Sequence, residues 1–154
     1  MLILHLGWIA GDCEDVAVLT QKSELEEYAD YYVRRLRGDY AEDAFHSLIE
    51  ADPSIVPYLR QVYELQSDPD TRAELIEVIY QFRLLATLPF LAQLLRDPIS
   101  RVWKTALDGV VTIGGAESVS VLENALECDD CTTERRKWLT EALDQVREFL
   151  DGHT

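Results

Sequence analysis

Turn formers are scarce in this chain: 154 residues hold only seven glycines and five prolines. A sandwich or barrel needs a turn signal about every 8–12 residues, so this scarcity argues against either. Cysteine is almost as rare. Cys13, Cys128 and Cys131 make an odd number, which does not form the paired framework of a small secreted domain. Basic residues are outnumbered, 14 against 29 acids, and the formal net charge is −15. A nucleic-acid ligand needs a basic stripe, and an anionic membrane surface repels such a chain. No apolar run reaches the roughly 18 residues of a membrane span. The opening MLILHLGWIAG lacks the basic start of a secretory signal. These absences predict a cytoplasmic protein that binds neither nucleic acid nor membrane.

What remains is globular: 47% apolar and 28% charged residues in a length that suits one domain. Residues 1–22 read as an irregular N-terminal arm, apolar at Leu2, Ile3, Leu4, Leu6, Trp8 and Ile9. From Ser23 the helical signal is clear. Ser23 with Glu26 forms a capping-box pattern, and Leu25, Tyr28, Ala29, Tyr32, Val33 and Leu36 follow at helical spacing to a stop at Gly38. A second helix is predicted over 39–51, closing a first pair at 23–52.

Beyond it the sequence repeats itself over 53–150. Val56-Pro57-Tyr58-Leu59 aligns with Leu88-Pro89-Phe90-Leu91, and more loosely with Val119-Ser120-Val121-Leu122. Each opens the first helix of a pair. Asp68-Pro69-Asp70-Thr71-Arg72 aligns with Asp97-Pro98-Ile99-Ser100-Arg101, and a degenerate copy begins at Asp129. Each of these opens a second helix, predicted over 71–85, 100–113 and 133–150, with Gly114-Gly115 closing the middle one. The chemistry suits the place. Aspartate accepts from the free N–H groups of a helix start, proline needs no donor there, and an arginine one turn later reaches an Asp carboxylate of its own or a neighbouring repeat.

The D-P-x-x-R turns, together with L-P-x-L-x-x-L-L on the first helix, resemble the HEAT-repeat family. The resemblance implies a single all-α solenoid over 1–154, of about four antiparallel helix pairs, that works as a protein-binding module.

Catalytic equipment is not apparent in the sequence. His5, His46 and His153 form no H-x-x-x-H or His-Glu pair. Gly114-Gly115 has neither the spacing nor the lysine of a phosphate loop, and no nucleophile has a partner at a recognisable spacing. Cys128-Asp129-Asp130-Cys131 is half of a zinc motif, and its two aspartates oppose a reactive thiolate. The chain is therefore read as no enzyme, with no cofactor and no metal. Aromatics at helical spacing are assigned to the core, with Tyr31 the exception, off the Tyr28–Tyr32 stripe.

A functional surface is suggested by the second helices. Glu74, Glu77 and Gln81 share one face; so do Lys104, Asp108 and Thr112, and then Glu134, Glu141, Asp144 and Glu148. Stacked, these rows predict a mostly acidic strip on the concave side, with Glu74, Glu77, Asp108, Glu141, Asp144 and Glu148 as partner-binding residues. The partner expected is a basic protein. A small, acidic, HEAT-like chain also resembles, in architecture, the bacterial immunity proteins that neutralise basic nuclease-type toxins. That resemblance implies stoichiometric occlusion of a toxin by a monomer or weak dimer. The alternative is an adaptor with a resident cellular partner.

Overall fold

The computed structural model describes residues 22–152. Residues 1–21 of the predicted N-terminal arm, with His5 and Cys13, lie outside that range, as does His153. Among the described residues there are eight α-helices and no strand: α1 Glu24–Val33, α2 Ala41–Ile49, α3 Val56–Glu64, α4 Pro69–Gln81, α5 Leu88–Leu94, α6 Ser100–Ile113, α7 Gly115–Leu126 and α8 Thr133–Asp151. Short 3₁₀ turns, Pro53–Ile55 and Leu85–Thr87, lead into α3 and α5. The all-α solenoid is as read from the sequence: four antiparallel pairs in two layers, with α4, α6 and α8 side by side.

Local chemistry fixes the helix starts. Ser23 and Glu26 form the reciprocal capping box in full. Asp68 accepts from the Thr71 amide at 2.9 Å, and Pro69 fills the first helical position of α4. The second D-P turn differs. Asp97 accepts from the Ile99 amide at 2.8 Å, so α6 starts two residues later than the α4 pattern, behind Ile99, with no side-chain cap. Freed from capping, the other Asp97 carboxylate oxygen receives Arg72 of the preceding repeat at 3.0 Å. Arg135 of the following repeat then donates to the Asp97 carbonyl at 2.7 Å. The repeated arginine thus ties neighbouring repeats together across one aspartate.

Helix ends depart further from the sequence reading. α1 stops at Val33 instead of running to Gly38, because Arg34 and Arg35 fold back onto the Asp30 and Tyr31 carbonyls and cap them. α2 is trimmed to Ala41–Ile49. α4 ends at Gln81, four residues before the predicted Leu85, since Arg83 takes a left-handed φ of 51°. Gly114 and Gly115 do turn the chain, at φ of 66° and 84°. That conformation is cheap only without a Cβ.

One apolar seam runs between the layers. Leu59, Leu91 and Leu122 of the first helices meet Leu75, Ile76 and Ile79 of α4 and Val102, Ala106 and Val110 of α6, all fully buried. Each Leu or Ile contributes about 1.5–3 kcal/mol by leaving water. The tightest helix pair is α4 with α6. Gly109 permits it: a Cβ there would lie 2.7 Å from Cδ1 of Tyr80.

Two aromatic assignments are corrected. Tyr40 is 68% exposed, because it precedes α2 in a non-helical conformation that turns it off the core stripe. Trp138 is 41% exposed although Trp103, its counterpart one repeat earlier, is 3% exposed. Trp103 has α8 on one side, where its ring meets that of Trp138 edge-on at 6.3 Å; among the described residues no further helix follows α8. Tyr31 is exposed, as read, with the Arg35 guanidinium stacked 3.4 Å from its ring centre.

Candidate binding face

Cross-helix contacts advance together along α4, α6 and α8. Asp70 meets Arg101 and Tyr80 meets Gly109; Lys104 meets Glu134, and Thr112 shares a cleft with Gln145. The three helices therefore run parallel, and their outward rows form one face. Along it the rows divide into two halves.

At the N-terminal half charges alternate and pair. Arg37, from the α1–α2 connection, bonds Asp70 at 3.2 Å and Glu74 at 3.3 Å. Arg101 reaches the same Asp70 at 2.9 Å, and Lys104 reaches Glu134 at 2.9 Å. Glu74 is largely spent inside this network. Burial raises its carboxyl pKa, opposed by Arg37, and its second oxygen has no hydrogen-bond partner among the described residues.

At the C-terminal half the carboxylates have no cross-helix ion pair among the described residues, although Arg83 shares a cleft wall with Glu148. Glu77, Asp108 and Glu148 have no ion pair among the described residues, and Glu141 has only Lys137, 3.8 Å away on its own helix. Nor does α4, α6 or α8 carry a basic residue in its last turn. The negative ends of three parallel helix dipoles therefore add to the same potential.

The predicted residues sort accordingly. Glu77, Asp108, Glu141 and Glu148 come together on this half; Glu74 is held in the ion-pair network. Asp144 is exposed but lines neither of the two clefts described next. The strip is thus divided, and the −15 charge is not concentrated on it: α4, α6 and α8 together carry nine acids and seven bases. Most of the excess lies on α1, α2, α7 and the connections.

A cleft of about 400 Å³ opens between the rows, with Tyr80, Asp108, Thr112, Trp138, Glu141 and Gln145 around it. Asp108 reaches solvent, yet the cleft walls displace enough water to raise its carboxyl pKa by burial alone. Burial, then the charges of Glu77 and Asp108, push the Tyr80 phenol up to about 12. A second cleft of about 720 Å³ adjoins the helix ends, with Arg83, Gly114, Gln145, Glu148 and Phe149 on its wall. Sequence reasoning left Tyr80, Gln145 and Trp138 out of the binding set. For Trp138 a signal existed: it falls three residues before Glu141, on the row Glu134–Glu141–Gln145–Glu148, where a solvent row should be polar.

Cys128 and Cys131 sit elsewhere, in the α7–α8 turn, both half-buried and free. Among the described residues no three His, Cys, Asp or Glu side chains gather as a metal site, and no helix is long and apolar enough to cross a membrane.

No curated protein matches the sequence. A family model for HEAT repeats matches residues 56–144, from the start of α3 to the middle of α8 and more than half of the chain. Its span coincides with the repeated D-P turns and with the helices that carry the divided face: the chain belongs to the HEAT-repeat family.

Proposed function

We propose that this chain is a non-catalytic binding module that holds a basic segment of a partner protein against the C-terminal half of its α4–α6–α8 face. Helical solenoids present stacked rows of side chains to protein partners, and this face is built in that way. The observation that carries the reading is the group Glu77, Asp108, Glu141 and Glu148, without a cross-helix ion pair among the described residues, beside three helix ends that add to its negative potential. A basic partner relieves that repulsion on docking, and the field steers its approach.

The test is capture of a basic protein from the native organism by wild type and by Glu77→Lys/Glu148→Lys. A partner held by wild type, released by added salt and lost from the folded double variant supports this face. Equal capture by both proteins moves the site elsewhere. The toxin-neutralising form of the reading adds one expectation. A captured partner that arrests growth when produced alone must become harmless when wild type, but not the double variant, is produced with it. A partner that is harmless alone identifies an adaptor.

A further inference from the structure

The cleft at the centre of this half is more than a patch of charge. Tyr80 is 8% exposed, with its ring clamped against Gly109, and it contributes to the cleft wall. Its hydroxyl has no hydrogen-bond partner among the described residues, although it is not sealed from solvent. A phenol that is anchored by its ring, with its oxygen not sealed from solvent, offers a hydrogen-bonding position to a ligand in the cleft.

Around it stand two carboxylates, Asp108 and Glu141, the Thr112 hydroxyl, the Gln145 amide and the indole of Trp138. That indole already accepts a cation: the Lys104 ammonium lies 4.8 Å from its ring centre. The ring nevertheless keeps 41% exposure, part of it on the cleft.

Resting on the reading above, we propose that this cleft is the pocket for one arginine side chain of the partner, stacked on Trp138 and hydrogen-bonded to Asp108, Glu141 and Tyr80. The choice of arginine over lysine follows from the acceptor count. Five groups of the wall offer oxygen acceptors, and a guanidinium brings five N–H donors in a planar fork. An ammonium brings three donors, is more strongly hydrated and cannot stack as a plane. Acceptors and an aromatic ring line the same cleft, a combination that a guanidinium can use in full and an ammonium only in part.

The experiment is a titration of the full chain with blocked arginine amide and with blocked lysine amide, following the Trp138 indole N–H resonance by NMR. Its absence from the Trp138→Phe spectrum identifies that signal. The arginine amide should give a saturable shift with Kd near 1 mM, about −4 kcal/mol. Asp108→Asn/Glu141→Gln should weaken it about tenfold, Tyr80→Phe a few-fold, and lysine amide should bind several-fold more weakly than arginine amide. No saturable shift, an unchanged Kd in the double variant, or lysine binding as tightly as arginine overturns the pocket. Its failure is separable from that of the face. A basic protein captured through Glu77 and Glu148 with no arginine response removes the pocket alone, whereas an arginine response with no captured protein removes the face reading alone.

Discussion

The two halves of the α4–α6–α8 face are built from the same three helices and differ in what abuts each carboxylate. On the N-terminal half Asp70, Glu74 and Glu134 each have a cation within 3.3 Å. On the C-terminal half the one ion pair among the described residues is 3.8 Å long, between Lys137 and Glu141. The cause is the placement of bases on α6: Arg101 and Lys104 fall in its first five residues and none follows. A row of acids is a solvated surface where a neighbouring row supplies cations, and a source of unrelieved potential where it does not. Net charge on the whole chain does not distinguish the two.

The largest expected effect breaks the contact beneath both halves. Gly109→Val forces α6 away from Tyr80, where even a Cβ would meet ring carbon at 2.7 Å. Overpacking of this kind costs about 1–3 kcal/mol, and urea denaturation should show it together with loss of the arginine response.

Next, the two kinds of ion pair should separate. Asp97→Ala strands Arg72, which is mostly buried with Tyr63 and Asp97 as its partners, and should cost about 2–3 kcal/mol. Glu134→Ala removes an exposed partner of Lys104 and should cost under about 1 kcal/mol. Equal costs in urea melts would erase the distinction between inter-repeat tie and surface pair.

A smaller effect reads the C-terminal half through pH. Asp108 is raised in the fold by burial, so folding favours its protonated form. The stability it contributes is present below its ordinary value of 3.8 and lost as pH rises through its raised value. At neutral pH the ionised carboxylate therefore opposes folding. Asp108→Asn should stabilise at pH 7, by less than about 1 kcal/mol because the group is open to solvent, and the gain should fade towards pH 3. Denaturation midpoints at the two pH values check it.

The smallest effect lies at the alkaline end. Tyr80, raised from 10.0 to about 12 first by burial, holds its proton in the fold. Stability should be retained below pH 10 and lost between 10 and 12 as the unfolded phenol ionises first. Burial also raises Tyr28, Tyr58 and Tyr63, so the late part of the phenolate absorbance titration should lose one tyrosine in Tyr80→Phe and keep the others.

Much of the fold was legible. The capping box at Ser23, the paired D-P turns and the glycines at 114–115 are local signals, and each acts within a few residues of itself. Asp68 capping Thr71 is such a case. Where the same motif failed to cap, at Asp97, the competing demand came from Arg72, 25 residues earlier. The early stops of α1 and α4 were illegible for a related reason. Arg34 and Arg35 cap carbonyls where Gly38 was expected to end α1, and Arg83 accepts a left-handed turn where the sequence carried no stop signal.

The candidate face was half legible. Helical periodicity placed Glu77, Asp108, Glu141 and Glu148 on outward rows, because spacing along one helix is set by its own 3.6-residue turn. It could not say that Glu74 faces Arg37 from a distant connection, or that Trp138 lacks the cover that Trp103 has. The sequence by itself determined the helices, the repeat and the outward rows, all products of short-range hydrogen bonding and periodicity. Only the tertiary structure decided which carboxylates are neutralised, which aromatic is left open and where a cleft forms. Those depend on the register between helices about 30 residues apart, which is set by packing at contacts such as Gly109 against Tyr80.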